Sequence, residues 1–259
     1  MLASELINLI KNHHTHLEMN KFEIQDEEYS FPYHYLATIK NKTPSIYKRL
    51  SWGIEYLTYI EYIRSFIETN KPKSILDIGC GDGYLINSIP FDKTNNFIGI
   101  DLSNKAIQFA NAFSDGYQFK CMNLFELEQQ FELITLIEVI EHIPDNLLTT
   151  FIKESFSKVK NGGHLIISVP TTVERTQRKH YRHYDESLLE QQIDQPNFTI
   201  VEQKRLYKKS KLLERIIKFS QSRNSKTIKR WVWAWHKQNT FFSDKENGKH
   251  LVTIYQRIK

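Results

Sequence analysis

The stretch that decides the fold is residues 74–83, SILDIGCGDG, an apolar run that ends in an acid and three glycines at alternate positions. Its first half, Ser74–Ile78, has the length and β-branched content of a buried parallel strand. Gly79, Gly81 and Gly83 then omit side chains where the chain must turn sharply, so a bound group can approach the backbone. We therefore expect a strand, a tight turn and a nucleotide-bearing cofactor at this point.

The spacing and charge of this turn discriminate between cofactors. A dinucleotide fingerprint is G-x-G-x-x-G, whereas the glycines here follow G-x-G-x-G. Asp77 precedes the first glycine by two residues, and its carboxylate would repel a pyrophosphate but attract an ammonium or sulfonium group. This argument favours S-adenosylmethionine over NAD. Asp101 closes a second apolar run, 96–100, at the interval where such folds place an acid on ribose hydroxyls.

The composition is typical of one α/β domain with additions. The 259 residues, 40% of them hydrophobic, suffice for a packed core. Cys80 and Cys121 are too few for a disulfide scaffold or a cysteine-based zinc site, so we expect a reducing, cytoplasmic setting. The N-terminus has no signal-peptide pattern, and no apolar run reaches the roughly eighteen residues that a membrane span needs.

Strands and helices are predicted to alternate from residue 74 onward. The pattern predicts strands at 74–78, 96–100, 117–121, 132–138 and 163–169, with helices near 83–90, 103–113 and 145–159. Such alternation predicts a parallel, doubly wound sheet that binds ligands at the carboxyl ends of its strands. A short helix at 185–192 and strands at 198–206 and 250–258 are expected to follow, and residues 1–70 to be mostly helical.

Three motifs, LDIGCGDG, GIDLS and LITLIEVIEHIPD, together resemble those of the class I S-adenosylmethionine-dependent methyltransferases. The resemblance is specific over roughly residues 70–172 and looser elsewhere. It implies a Rossmann-like, seven-stranded, mostly parallel sheet with flanking helices, formed by residues 71–259 and preceded by an N-terminal helical or lid extension, 1–70. The two late strands would form an antiparallel edge, with a basic helical insertion at about 207–247 before the last one.

The resemblance also implies which residues hold S-adenosylmethionine. The glycine turn would wrap the methionine half, Asp101 would bind the ribose hydroxyls and Leu102 would pack on the adenine. Asn123, followed by Leu124, stands where the family often has an acid that contacts the adenine amino group, and its amide oxygen can accept that hydrogen bond. The complete expected set is Asp77, Gly79, Gly81, Gly83, Asp101, Leu102, Asn123, Leu124 and Glu138.

The expected catalytic residues are Glu141, His142 and His183. Either histidine is suited to remove a proton from an acceptor hydroxyl, since imidazole titrates in the range that general-base catalysis requires. In one alternative, Glu141 and His142 only position a helix start. In another, Glu138, Glu141, His142 and either His180 or His183 resemble the metal ligands of small-RNA 2′-O-methyltransferases and some quinone-biosynthesis O-methyltransferases. A site without metal is the expectation.

The expected acceptor is a small molecule or a glycan, such as a nucleotide-linked or lipid-linked sugar, methylated on oxygen. The basic loop 174–184 suits a phosphate or carboxylate on it, and the aromatic stretch 29–35 a lid. Segment 204–237 carries twelve Lys or Arg against one acid, which suits peripheral membrane contact, an anionic substrate or RNA, unless it is an ordinary solvated face. A non-catalytic protein that retains the cofactor pocket is the alternative from another class.

Overall fold

The computed structural model describes residues 37–40, 43–46, 50–90, 92–221 and 225–258. Its strands are β1 Ala37–Lys40, β2 Thr43–Ile46, β3 Ser74–Ile78, β4 Asn96–Asp101, β5 Gln118–Cys121, β6 Phe131–Ile137, β7 Val159–Pro170, β8 Phe198–Lys208, β9 Phe242–Ser243 and β10 Gly248–Arg257. Its helices are α1 Leu50–Asn70, α2 Tyr84–Asn87, α3 Asn104–Ala112, α4 Asp145–Ser157, α5 Glu186–Gln192, α6 Lys211–Gln221 and α7 Lys226–Asn239, with 3₁₀ turns at Leu124–Glu126 and Ile140–His142.

The main sheet has the strand order β5-β4-β3-β6-β7-β10-β8-β9. The five strands from β5 to β7 in this order are parallel, and β10 runs antiparallel to both β7 and β8. The predicted Rossmann-like sheet with an antiparallel edge is therefore confirmed. The sheet has eight strands, whereas seven were predicted from the sequence. The additional strand, β9, is only two residues long.

Two apolar clusters cover the two faces of the sheet. Successive residues of β3 point to opposite faces, so Ile75 joins the cluster under α1 while Leu76 joins the cluster under α4. Both insertion helices contribute to the first cluster, through Leu213 on α6 and Trp233 on α7. The predicted insertion is thus packed into the main core. None of the helices in the described part of the chain is long and apolar enough to cross a membrane.

Some local predictions differ from the structure. The expected mostly helical region 1–70 contains a hairpin, β1–β2, whose threonines and isoleucines favour strands; residues 1–36, including the aromatic stretch, lie outside the described residues. Helix α2 is shorter than the predicted 83–90. Strand β7 begins at Val159, so Gly162 and Gly163 lie inside the strand, near the point where its register with β6 shifts.

A buried histidine joins α7 to α1. The Thr58 hydroxyl donates to the Ile54 carbonyl at 2.6 Å, so it accepts the hydrogen bond from His236 Nε2 at 2.8 Å. In the neutral ring, His236 Nδ1 accepts from the Thr240 hydroxyl, 2.6 Å away. In the neutral form both ring nitrogens therefore have partners, in agreement with burial, which lowers the pKa of His236 to about 3.

Thr58→Val is therefore expected to destabilise the fold by about 1–3 kcal/mol, because it leaves the His236 N–H buried without an acceptor. Thr69→Val is the matched control, since Thr69 lies on the same helix and also donates to a carbonyl four residues earlier, but is exposed. Its expected effect is within about 0.5 kcal/mol. Urea unfolding of both variants measures the difference, and equal effects would contradict the assigned role of His236.

Candidate functional site

A cavity of about 270 Å³ opens at the carboxyl ends of β3 and β6. Its walls come from α1, the turn after β3, the end of β6, residues 177–180 and the start of β10. The α1 wall is aromatic, with Trp52 and Tyr56 stacked at 5.4 Å between ring centroids and Tyr59 beside them. This is the edge of the sheet where the sequence predicted a ligand.

The glycine turn has the backbone geometry that the sequence predicted. Gly79 adopts a φ of 71°, and a Cβ there would lie 2.6 Å from Val139 Cγ2, so both conformation and space require glycine. The amides of Gly79 and Cys80 both donate to the Ile100 carbonyl, at 2.8 and 3.0 Å. These bonds fix the turn to the end of β4.

Two acids frame this turn. Asp77 is buried, lines the cavity and accepts a 2.7 Å hydrogen bond from the Thr135 hydroxyl. Asp101 accepts from the backbone amides of Gly81 at 2.9 Å and Ser103 at 2.8 Å. Each of its oxygens has a second lone pair, so the carboxylate can also accept hydrogen bonds from a ribose. The pair fits a cofactor with a cationic centre and a sugar.

The residues expected to contact adenine lie near the end of β4 and after β5. Leu102 is 40% exposed beside Asp101, as a side chain that packs on a ligand would be, and Leu124 is buried. Asn123 Oδ1 accepts from the Phe125 amide at 3.2 Å, while its buried Nδ2 has no hydrogen-bond partner among the described residues. Asn123 is therefore equipped to donate to an adenine ring nitrogen, whereas the sequence had suggested that it accepts from the amino group.

Glu141 is the most unusual group in the cavity. Its side chain is fully buried, and neither carboxylate oxygen has a hydrogen-bond partner in the described part of the chain. Burial, together with the negative charge of Glu138, raises the pKa of Glu141 well above its ordinary value. A buried carboxylate without donors is costly, and either a proton or a nearby cation would lower that cost.

Two histidines lie beside this carboxylate. His142 Nδ1 is 3.1 Å from the Lys179 carbonyl, to which it donates, so its Nε2 is the nitrogen with the lone pair. His183 Nδ1 donates in the same way to the Glu174 carbonyl, at 3.0 Å, so its Nε2 accepts from His180 Nδ1, at 2.9 Å. His180 therefore also has its lone pair on Nε2. In these neutral tautomers His142 and His180 each carry the lone pair on Nε2, the form of imidazole that can coordinate a metal ion.

One ligand atom each from Glu141, His142 and His180 lies within 4.8 Å of the others. That spacing suits atoms that each lie about 2.0–2.3 Å from a common cation. Of the four ligands in the metal alternative, Glu138 is instead bonded to other protein groups. His183 stands behind His180, does not line the cavity and has both nitrogens occupied. The expected base His183 is thus placed to orient a neighbour.

His250, which no sequence pattern singled out, lies between two carboxylates. Its Nδ1 is 3.1 Å from Glu138 Oε1 and its Nε2 is 3.0 Å from Glu55 Oε1. Burial alone would lower the pKa of His250, but the two carboxylates outweigh burial and raise it to about 10. Glu138 also accepts from the Ser168 hydroxyl at 2.8 Å, and its backbone adopts a φ of 55°, which non-glycine residues rarely do.

One base of the loop 174–184 has a structural role in the fold. The Arg182 guanidinium donates to the Ile140 carbonyl at 2.9 Å and to Asp145 at 2.6 Å. Arg182 therefore anchors the loop to the 3₁₀ turn that carries Glu141. Lys179 does line the cavity.

The sequence profile of a methyltransferase domain matches residues 55–203, more than half of the chain. A ubiquinone biosynthesis O-methyltransferase of Coxiella burnetii is 32% identical over 117 residues, which cover 42% of this chain and 48% of that protein. A ribosomal protein L11 methyltransferase of Desulfotalea psychrophila is 27% identical over 115 residues, covering 42% of this chain and 37% of its own length. The chain thus matches about half the length of its sequence relatives, or less.

Two solved structures share the fold over more of the chain. Magnesium protoporphyrin IX methyltransferase from Synechocystis PCC 6803, with bound S-adenosylmethionine, has a TM-score of 0.57 at 15% identity and covers 92% of this chain and 97% of its own. The methyltransferase domain of bacterial CtHen1 has a TM-score of 0.56 at 14% identity, with 78% of this chain and 98% of that chain covered. With the profile match, the strand order and the glycine turn, they show that the chain belongs to the class I S-adenosylmethionine-dependent methyltransferases.

Proposed function

We propose that this chain methylates a hydroxyl group of a ring-bearing small molecule and holds a divalent cation at Glu141, His142 and His180. The observation that carries the proposal is the buried Glu141 carboxylate, whose oxygens have no hydrogen-bond partner among the described residues, beside two imidazoles oriented for coordination. S-adenosylmethionine would supply the methyl group. The domain assignment, with an extension at 1–70 and the transferase at 71–259, is part of the same proposal.

The cofactor residues would align the methyl donor by charge and hydrogen bonding. Asp77 offers a buried carboxylate to the ammonium or sulfonium end, and Asp101 offers acceptor oxygens to the ribose. Asn123 offers an N–H to the adenine ring. Because the sulfonium is already activated, alignment of donor and acceptor supplies most of the rate enhancement.

Removal of the acceptor proton distinguishes two versions of this chemistry. A divalent cation at the cluster would lower the pKa of a hydroxyl group bound to it. Without a cation, His142 would accept the proton through Nε2, which lies 3.9 Å from Glu141 Oε1. Turnover that survives EDTA would favour the second version.

His250 acts in this proposal as a positioning cation and not as a base, since its two carboxylates keep it protonated at neutral pH. It holds Glu138 at the edge of the cavity and links β10 to α1 through Glu55. The aromatic wall of α1 is thereby fixed opposite the cation cluster. Lys249 strengthens the same link with a 3.0 Å ion pair to Glu55.

The acceptor class is the part of the proposal with competing candidates. Stacked Trp52 and Tyr56 suit a flat phenolic ring, and one sequence relative is a ubiquinone biosynthesis O-methyltransferase. A sugar can also pack on these rings, as the glycan hypothesis requires. Radiolabelled methyl transfer to dihydroxybenzoates, sugar nucleotides and small RNAs separates these classes, and absence of turnover with cofactor bound would favour the non-catalytic alternative.

Asp101→Asn is expected to weaken S-adenosylhomocysteine binding by about tenfold or more, because one of two acceptor oxygens becomes a donor. Calorimetry measures the affinity. Asp115→Asn, at an exposed position in the turn after α3, is the matched control and should bind as the wild type does. Wild-type affinity in the Asp101 variant would remove that residue from the cofactor site.

Glu141→Gln and His180→Asn are each expected to lower Mn²⁺ affinity by about tenfold or more while S-adenosylhomocysteine still binds. Electron paramagnetic resonance of free Mn²⁺ measures the first property and calorimetry the second. Glu190→Gln replaces an exposed glutamate on α5 and should leave both unchanged. Wild-type protein that binds neither Mn²⁺ nor Mg²⁺ would contradict the cation site.

The raised pKa of His250 also predicts a pH dependence of stability. Its stabilising contribution is complete below the ordinary histidine pKa of about 6.5 and is lost as pH rises to about 10. The difference in unfolding free energy between the wild type and His250→Gln should therefore shrink over that interval. His164→Gln is the control, because burial lowers the pKa of His164, so its contribution cannot decline above pH 7.

A further inference from the structure

We propose that the outer face of α6, formed by Leu212, Arg215 and Phe219, docks this protein on an anionic lipid surface. These residues are spaced by three and four positions and therefore lie on one side of the helix. Leu212 and Phe219 are 55% and 57% exposed. The proposal is independent of the methyl acceptor and of the cation site.

The exposure of this face does not arise from a loosely attached helix. Leu213 and Ile217 are each 1% exposed and belong to the apolar cluster under α1. Ser220 is also fully buried and donates to the Ile217 carbonyl. With its inner face seated, α6 has more apolar residues than packing requires, and the excess faces outward.

The charges that surround the exposed apolar residues are almost all positive. Lys211, Arg215 and Lys218 lie on the same helix, whose single acid is Glu214. Within the described ranges, no ion pair involves any of these three bases, whereas Lys208 pairs with Asp244 and Lys209 with Glu174. Bases without acidic partners would attract an anionic surface.

The combination of charge and apolar exposure favours lipid over nucleic acid. An interfacial helix inserts leucine and aromatic side chains among acyl chains while lysine and arginine contact headgroups. Single-stranded nucleic acid would use basic groups and aromatic rings but gains little from an exposed leucine. Trp231 on the next helix is also 55% exposed, so the basic insertion has a further side chain typical of membrane interfaces.

Lipid contact at α6 would lie near the cavity. Helix α6 packs against α1, which supplies the aromatic cavity wall. Lys209, just before α6, pairs with Glu174, which in turn pairs with Lys249 next to His250. In the docked protein, α6 would therefore lie between the lipid surface and α1, the helix that forms the aromatic wall of the cavity.

Vesicle sedimentation tests the proposal. The wild-type chain should sediment with phosphatidylcholine vesicles that contain about one third phosphatidylglycerol, much less with pure phosphatidylcholine, and be released by salt. Leu212→Ser with Phe219→Ser should lower the partition coefficient about tenfold or more. The matched control, Phe113→Ser with Ile258→Ser, removes two other exposed apolar side chains and should sediment as the wild type does.

Thermal unfolding and S-adenosylhomocysteine binding establish that each variant is folded. Should the apolar double variant fail to fold, Arg215→Glu with Lys218→Glu retains the apolar residues and should abolish the preference for anionic vesicles. Absence of wild-type sedimentation, or equal sedimentation of the α6 variants, would overturn the proposal. Tight binding of polyuridine that survives the apolar double substitution would assign the face to nucleic acid instead.

Discussion

The attachment of the glycine turn to β4 is the constraint on which the rest of the site depends. The Ile100 carbonyl accepts from the amides of Gly79 and Cys80, and the Asp101 carboxylate accepts from Gly81. One strand end therefore fixes the backbone of the neighbouring loop and the acid that faces it. Because β3 and β4 are parallel and adjacent, no longer-range interaction is needed to bring these groups together.

The electrostatics of the cavity follow from an excess of carboxylates at this edge. Glu55, Asp77, Glu138 and Glu141 all line it. His250 bridges the first and third of these, and Thr135 donates to the second. Glu141 has no hydrogen-bond donor in the described structure, and a positive charge beside it would neutralise its carboxylate. The cavity thus offers negative charge to a cationic cofactor, and the proposed cation would balance the remaining carboxylate.

The cofactor end of the site could be predicted from sequence because its residues are close in the chain. Three glycines and Asp77 lie within one strand and turn, and Glu141 and His142 are neighbours. His250 is separated from Glu138 by 112 residues and from Glu55 by 195, so no local pattern indicated their contact. The sequence also does not show which basic side chains bind other protein groups. Arg182, for example, donates to a backbone carbonyl and to Asp145.

The packing of α7 makes the stability of α1 depend on the insertion. His236 and Trp233 are buried between α7 and α1, and they leave α1 covered on one side by the insertion and exposed to the cavity on the other. Deletion of residues 207–247 would therefore expose the side of α1 that faces away from the cavity, in contrast to the deletion of a surface loop. Because the insertion and α1 share one apolar cluster, we expect them to unfold together, so that the protection of α1 amides from exchange would depend on helices far from it in sequence.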